Sequence, residues 1–106
     1  MNIKKHKKEI RDYKSIKSKI AYAIGHIIQE DMPKHNPMVH FFDVKNHLFQ
    51  NKITVYIYCE RPGLLIGKAG VTVEKLKDII SKVTNKKVSV VFFQFEPIFY
   101  PIYDIE

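Results

Sequence analysis

The chain has 106 residues, of which 45% are hydrophobic, and its 18 Lys and Arg against 11 Asp and Glu give a formal net charge of +7. This length predicts one domain with a packed core rather than two separate cores. No apolar run approaches the roughly 18 residues that a membrane span needs, and the single cysteine, Cys59, rules out an internal disulfide or a multi-cysteine zinc site. The first residues lack the pattern of a secretory signal, so a cytoplasmic location without a membrane partner is expected.

The positive charge is concentrated in two segments. Residues 1–19 carry +6 and residues 61–87 carry +5, whereas residues 20–60 carry −1 and residues 88–106 carry −3. A polyanionic partner is therefore expected at the two basic segments.

A long helix is predicted near the start of the chain. From Ile10, apolar residues recur every three or four positions, which places them on one helical face. The helix should end near Asp31, because Pro33 disfavours helical geometry at the residue before it. Residues 1–9 are Lys-rich and are expected to form either a basic tail or the first turns of this helix.

The rest of the chain predicts a small mixed sheet with one further long helix. Residues 38–44 are rich in strand formers and residues 53–60 alternate between apolar and polar side chains, so the two segments predict a hairpin. Apolar residues then recur at helical spacing over 73–83, and residues 88–95 form a strand-forming run apolar enough for a central position in the sheet. A right-handed crossover should place this last strand parallel to the second. The prediction is an α+β domain in two layers, with a three-stranded mixed sheet and helices on one face.

A glycine loop is the sharpest local signal. Gly67 and Gly70 enclose Lys68 and Ala69 at the start of the second long helix. Glycine permits positive φ and close approach of a ligand. The N–H groups of Ala69, Gly70 and Val71 lie near a helix N-terminus, where they could donate to phosphate oxygens, and Lys68 adds a positive charge. Such a site would bind a sugar–phosphate backbone without reading the bases.

Two nucleotide-binding motifs are excluded for these glycines, and a third interpretation stays open. A nucleotide-binding P-loop fails, because only three residues separate Gly63 from Gly67 and Ala69 stands where a magnesium-binding hydroxyl is required. A dinucleotide-binding fingerprint fails because no G-x-G-x-x-G occurs. A simple turn between two helices stays open on the loop sequence alone.

The surroundings of the loop resemble a family of nucleic-acid-binding domains. The segment 53–90 resembles a type II KH domain in its preceding strand, its Arg61-Pro62-Gly63 link, Ile66 before the loop, and Val73 and Leu76 after it. The likeness is closest to the KH domain of the small-subunit ribosomal protein near the mRNA entry channel. It implies the type II element order α-β-β-α-α-β.

The resemblance also implies a function and a set of site residues. KH domains grip about four nucleotides of a single strand, with the GxxG loop on the backbone and the bases in a hydrophobic groove beside a strand. The expected ligand is single-stranded RNA, with single-stranded DNA and ribosomal RNA as alternatives. No catalytic residue, cofactor or metal ligand is implied, so the chain is not expected to be an enzyme. Carried over residue by residue, the nucleic-acid-binding positions are Arg61, Ile66, Gly67, Lys68, Ala69, Gly70, Val73, Lys75, Lys86 and Lys87.

The expected organisation is a basic N-terminal tail at 1–9, the type II KH domain at 10–96 and an aromatic C-terminal tail at 97–106. A second domain like that of the ribosomal protein is not seen, so a free-standing KH module, or an adaptor built on one, is expected. Tyr56 and Tyr58 should face away from the helices, where they and the tail either pack on one another or form a surface for a protein partner or a second copy. The alternative function is therefore a KH-fold protein–protein interaction subunit of a ribonucleoprotein assembly.

The remaining candidate residues favour structural roles. His35, His40 and His47 lack the paired spacing of metal ligands, so ordinary surface or half-buried histidines are expected. Cys59 alternates with buried strand positions, which predicts an inert thiol in the core.

Overall fold

The computed structural model describes residues 3–95, with side chains from residue 13 onward. The expected aromatic tail at 97–106 lies outside the described residues. A single 3-10 turn, Lys68–Gly70, joins the second and third helices, and the element order is the one predicted. The helices and strands are α1 (Ile3–Asp31), β1 (Val39–His47), β2 (Lys52–Cys59), α2 (Pro62–Ile66), α3 (Val71–Thr84) and β3 (Lys87–Gln94).

The first helix begins before the expected start of the domain. α1 begins at Ile3, so the expected boundary at residue 10 lies inside it, and residues 3–9 form its first turns. It ends at Asp31, as predicted. No helix within residues 3–95 combines the length and the apolar composition needed to cross a bilayer.

The three strands form one mixed sheet in the order β1-β2-β3. β1 pairs with β2 antiparallel, and β3 pairs with β2 parallel, so the predicted hairpin and crossover are confirmed. The expectation that β3 is central is wrong. β1 pairs with one side of β2 and β3 pairs with the other, so β2 is the central strand and β3 is an edge strand. β3 is apolar although it is an edge strand because it packs on both faces, with Val90 and Phe92 in the core and Val91 buried on the opposite side.

One face of the sheet carries the core. Buried residues of α1 and α3 pack on alternate residues of the strands, which confirms the predicted helical faces. A fully buried aliphatic or aromatic side chain stabilises the fold by about 1.5–3 kcal/mol. The main contributors are Ile16, Ile20, Ala23, Ile24 and Ile27 of α1, Leu76 and Ile80 of α3, and Ile53, Val55, Ile57, Val90 and Phe92 of the sheet.

The face without helices carries a row of stacked aromatic rings, here called the ring column. Ring centroids are 4.2 Å apart for Phe41 and Tyr58, 4.7 Å for Tyr58 and Phe93, and 6.1 Å for Tyr56 and Phe93. Each strand contributes to it, because the register places Phe41 beside Tyr58 and Tyr58 beside Phe93. Tyr56 and Tyr58 therefore pack on rings of the neighbouring strands.

Candidate nucleic-acid interface

The loop between α2 and α3 has a backbone that only glycine adopts readily at its first position. Gly67 has φ 77° and ψ 170°, a region that side chains with a Cβ essentially do not occupy. A Cβ built on Gly67 would also lie 2.8 Å from the backbone nitrogen of Thr72 in the first turn of α3. Gly67 is therefore required both by its own conformation and by the helix packed against it.

The tip of the loop turns through two left-handed residues. Ala69 has φ 54° and Gly70 has φ 76°, and Gly70 is the N-cap of α3. Lys68 and Ala69 are both exposed. The loop thus presents a cation and a small side chain to solvent at the N-terminal end of a 14-residue helix, where the helix dipole favours an anion.

Two of the three amides expected to bind phosphate are already used within the loop. The Gly70 N–H donates to the Gly67 carbonyl at 3.1 Å, and the Val71 N–H donates to the Lys68 carbonyl. Among the described residues, the N–H groups of Lys68 and Ala69 have no hydrogen-bond partner. The donors that the loop offers are therefore these two amides and the Lys68 ammonium.

Apolar side chains border the loop on both sides. Ile66 before it and Val73 after it are each half-buried and packed against the core, whereas Leu65 and Leu76 are fully buried. Ile66 and Val73 therefore lie at the boundary between the core and the surface beside the loop.

A groove of about 320 Å³ runs between α3 and the edge strand β3. The 14 residues of α3 span about 21 Å at 1.5 Å per residue, so the glycine loop lies at one end of the helix and the turn into β3 at the other. The lining side chains come from one face of α3 and the start of β3, and they are Glu74, Lys77, Asp78, Ser81, Lys87 and Val88. Apart from Val88 they are charged or polar, so this groove differs from the hydrophobic groove that the resemblance implied, and neither Ile66 nor Val73 lines it.

The structure places the predicted cations in different surroundings. Lys87 lines the groove, and Lys86 lies beyond the end of α3, with its Nζ 3.5 Å from Asn51 Oδ1. Arg61 is exposed at the N-cap of α2. Lys75 is not brought to the groove, because its Nζ donates to Asp31 Oδ2 at 3.2 Å and so lies on the α1 side of α3.

Sequence reasoning missed the groove wall on α3. Glu74, Lys77, Asp78 and Ser81 follow the i, i+3, i+4, i+7 spacing that defines one helical face, and this spacing was the available signal. The two acids are paired within the helix: Glu74 lies 3.6 Å from Lys77, and Asp78 lies 3.0 Å from Lys82.

The histidines and the cysteine have other contacts. His40 Nε2 lies 2.8 Å from Glu60 Oε2, and His47 Nε2 lies 2.9 Å from Thr54 Oγ1. Cys59 is buried, and its burial raises the pKa of the thiol to about 11. The thiol therefore stays protonated at neutral pH, as expected of a core residue.

Curated relatives of the chain are ribosomal proteins. Small ribosomal subunit protein uS3 of Aliarcobacter butzleri is 49% identical over 39 residues, which cover 37% of this chain and 17% of that protein. The same protein of Flavobacterium johnsoniae is 48% identical over 42 residues, and that of Geobacter sulfurreducens is 50% identical over 38 residues; these cover 40% and 36% of this chain, and 17% and 18% of the relatives. The chain therefore spans less than a fifth of the length of these relatives.

The family match reaches beyond that similar segment. The family model described as KH domain matches residues 14–96, which are 83 of the 106 residues. The observed order of helices and strands is the type II order, with a G-x-x-G loop between α2 and α3. From the match and the architecture together, the chain belongs to the KH domain family, as a type II member that resembles the KH domain of uS3.

Proposed function

We propose that this KH domain binds single-stranded RNA, without catalysing a reaction, by holding the phosphate backbone on the Gly67–Gly70 loop and the bases in the groove between α3 and β3. The observation that carries the proposal is the position of the loop. It stands at the N-terminal end of α3, the helix whose side chains line one wall of the groove, with Lys68 exposed at its tip and apolar Ile66 and Val73 beside it. KH domains use such a loop to clamp about four nucleotides.

The backbone contact follows from the donors that the loop leaves available. A phosphate oxygen at the tip would accept hydrogen bonds from the amides of Lys68 and Ala69 and would lie close to the Lys68 ammonium. Hydrogen bonds from a charged donor or to a charged acceptor are about twice as strong as neutral ones. The exposed Arg61 at the same end of the domain would contact a neighbouring phosphate, and Lys86 and Lys87 at the other end would contact phosphates farther along the strand.

The charge of the chain and its relatives support RNA as the partner. Residues 61–87, which hold the loop and α3, carry +5, and the relatives are named as ribosomal proteins. We infer that the RNA is ribosomal RNA or a strand close to it, which would place the protein in the cytoplasm with ribosomes. The basic turns of α1 would add phosphate affinity that does not depend on sequence.

The decisive experiment changes the loop tip alone. Lys68→Asp with Ala69→Asp puts two carboxylates where the phosphate should lie, and both side chains are exposed, so the fold should persist. We expect the affinity for a fluorescein-labelled, random-sequence RNA of eight nucleotides, measured by anisotropy, to fall by about tenfold or more.

A matched control carries the same charge change elsewhere. Ala21→Asp with Lys45→Asp also changes the net charge by −3, at exposed positions on α1 and β1. Its affinity should fall far less than that of the loop variant. Unchanged binding by the loop variant, or an equal loss in both variants, would contradict the loop assignment; circular dichroism of each variant checks the fold.

A second candidate function is supported by the ring column. Phe41 at its end is 52% exposed and Phe95, just beyond β3, is 42% exposed, which makes this face a candidate surface for a protein partner in a ribonucleoprotein assembly. Light scattering over a range of concentrations tests association with a second copy. A protein that stays monomeric and still binds RNA would count against this candidate in favour of the first.

A further inference from the structure

The turn between β1 and β2 presents an aromatic ring to solvent. Phe49 lies at the tip of this hairpin, and its side chain is fully exposed. The ring therefore contributes no burial to the core, and its presence on the tip has no explanation in the stability of the domain.

The hairpin tip is fastened to the far end of the groove. Asn51, in the left-handed conformation with φ 47°, accepts a hydrogen bond from the Lys87 N–H on its carbonyl at 3.0 Å. Its Nδ2 donates to the Asn85 carbonyl at 3.3 Å, and its Oδ1 lies 3.5 Å from Lys86 Nζ. Because Lys87 also lines the groove, a strand that leaves the groove at this end would reach the tip.

Lysines without acidic partners lie next to the hairpin tip. Lys52 and Lys87 are direct partners in the parallel register of β2 and β3, and like charges placed opposite each other destabilise a sheet. The ion pairs found among residues 13–95 include none of Lys52, Lys86 and Lys87. The sequence has no Asp or Glu in residues 44–59 or 79–95. An anionic ligand would relieve this repulsion.

We propose that Phe49, Lys52, Lys86 and Lys87 form a second contact for the same RNA strand, here called the hairpin-tip patch. Phe49 stacks on the base of a nucleotide beyond the groove, and the lysines contact the phosphates on either side of it. This inference rests on the proposed RNA binding and extends it from about four nucleotides to a longer strand. The lysines favour a polyanion over an apolar protein segment as the partner of the exposed ring.

The test compares two lengths of RNA. Random-sequence pools of four and eight nucleotides separate the groove from the tip, since KH domains clamp about four nucleotides. Phe49→Ala should weaken binding of the eight-nucleotide pool by about 5- to 150-fold, the range that corresponds to the loss of one stacked base. Binding of the four-nucleotide pool should not change.

Two further variants identify the cause of any loss. Leu48→Ala removes the neighbouring exposed apolar side chain and should leave both affinities unchanged, whereas Phe49→Tyr keeps an aromatic face and should retain the affinity for the longer pool. Equal binding of the longer pool by the wild-type protein and Phe49→Ala would overturn the proposal, and so would an equal loss in Leu48→Ala. Failure of the wild-type protein to bind either pool would instead overturn the proposed RNA binding itself.

Discussion

Gly67 and Ala69 belong to the same loop, yet their backbone conformations differ in which residue types they accept. Gly67 lies in a region closed to residues with a Cβ, and its neighbour Thr72 leaves no room for one. Ala69 already has a Cβ while in the left-handed conformation, which costs a residue other than glycine about 1–2 kcal/mol. The first position is thus fixed as glycine, and the second carries strain that glycine would release.

Opposite substitutions at these two positions should change the stability in opposite directions. Gly67→Ala should lower the free energy of unfolding by about 1–3 kcal/mol, because it combines a disfavoured backbone with a steric clash. Ala69→Gly should raise it by up to about 1 kcal/mol, the relief of strain being partly offset by the flexibility of glycine in the unfolded chain. Urea unfolding of each variant measures both effects.

Gly63→Ala is the matched control for this pair. Gly63 lies in α2, and no atom comes within 4 Å of a Cβ built there. Its free energy of unfolding should stay equal to that of the wild-type protein or rise slightly. A Gly67→Ala variant as stable as Gly63→Ala would show that the loop adjusts to a Cβ without strain.

The sequence predicted the glycine loop but not its internal hydrogen bonds. The spacing of Gly67 and Gly70 and the apolar residues around them were sufficient to identify the loop. Propensities do not specify which amide meets which carbonyl, so the use of the Gly70 and Val71 amides inside the loop and the left-handed Ala69 became visible only in three dimensions.

At the scale of elements, one acidic side chain ties α1 to β1. The Tyr13 hydroxyl donates to Asp43 Oδ1 at 3.0 Å, and Lys17 Nζ lies 3.9 Å from the same oxygen. The hydrogen bond from the Val44 N–H, and to a lesser extent the one from the Tyr13 hydroxyl, hold the pKa of the Asp43 carboxyl below its ordinary value, and the hydrogen bond to Asp43 raises the pKa of Tyr13. Both shifts favour the state in which Asp43 is ionised and Tyr13 keeps its proton.

This contact should be lost in acid. Because the pKa of Asp43 is lower in the folded state, its contribution to stability is complete above the unfolded pKa and disappears as the pH falls through the folded pKa. Asp43→Asn should lower the free energy of unfolding by less than about 1 kcal/mol at about pH 6, since the carboxylate is exposed and screened by solvent. The difference in stability between the two proteins should shrink as the pH falls to about 2, as measured in urea titrations. A difference that stays constant between the two pH values would contradict the role of the charge.

The spacing of apolar residues predicted which segments form helices and strands, but it predicted less well where a strand ends and which strands lie side by side. β1 continues to His47, beyond the predicted end at residue 44, because Lys45 and Asn46 pair with β2, although neither is a typical strand former. The run of apolar residues in β3 indicated a central strand, but burial on both faces of an edge strand produces the same pattern. The groove face of α3 was present in the sequence as a helical spacing and became recognisable only once β3 was placed beside it.

At the scale of the whole molecule, four of the cations behind the net charge of +7 lie along a line from the glycine loop to the hairpin. Arg61 and Lys68 stand at one end of this line, and Lys86 and Lys87 stand at the other, about the length of α3 apart. Such a distribution suits a chain of phosphates better than a single anion. It predicts that binding depends steeply on salt.

The number of phosphate contacts predicts how steeply the binding constant falls with salt. If these four cations and Lys52 of the hairpin-tip patch each contact one phosphate, the logarithm of the binding constant for the eight-nucleotide RNA should fall with the logarithm of the salt concentration with a slope of about −3.5, at about −0.7 per phosphate on a single strand. Lys86→Ala with Lys87→Ala should reduce this slope to about −2.1. Titrations between about 50 and 200 mM salt measure it, with Lys45→Ala as the control whose slope stays unchanged. A double variant with the wild-type slope would show that the two lysines do not contact phosphate.

The ring column has a consequence for how this domain is observed. The chain has no tryptophan and six tyrosines, and Tyr56 and Tyr58 are held nearly parallel to Phe93, with interplanar angles of 22° and 17°. Aromatic transitions locked in such an arrangement couple to one another and give a near-ultraviolet circular dichroism signal that vanishes when the rings rotate freely. Since all three strands contribute to the column, the domain contains its own spectroscopic reporter of sheet assembly, and unfolding can be followed without an introduced chromophore.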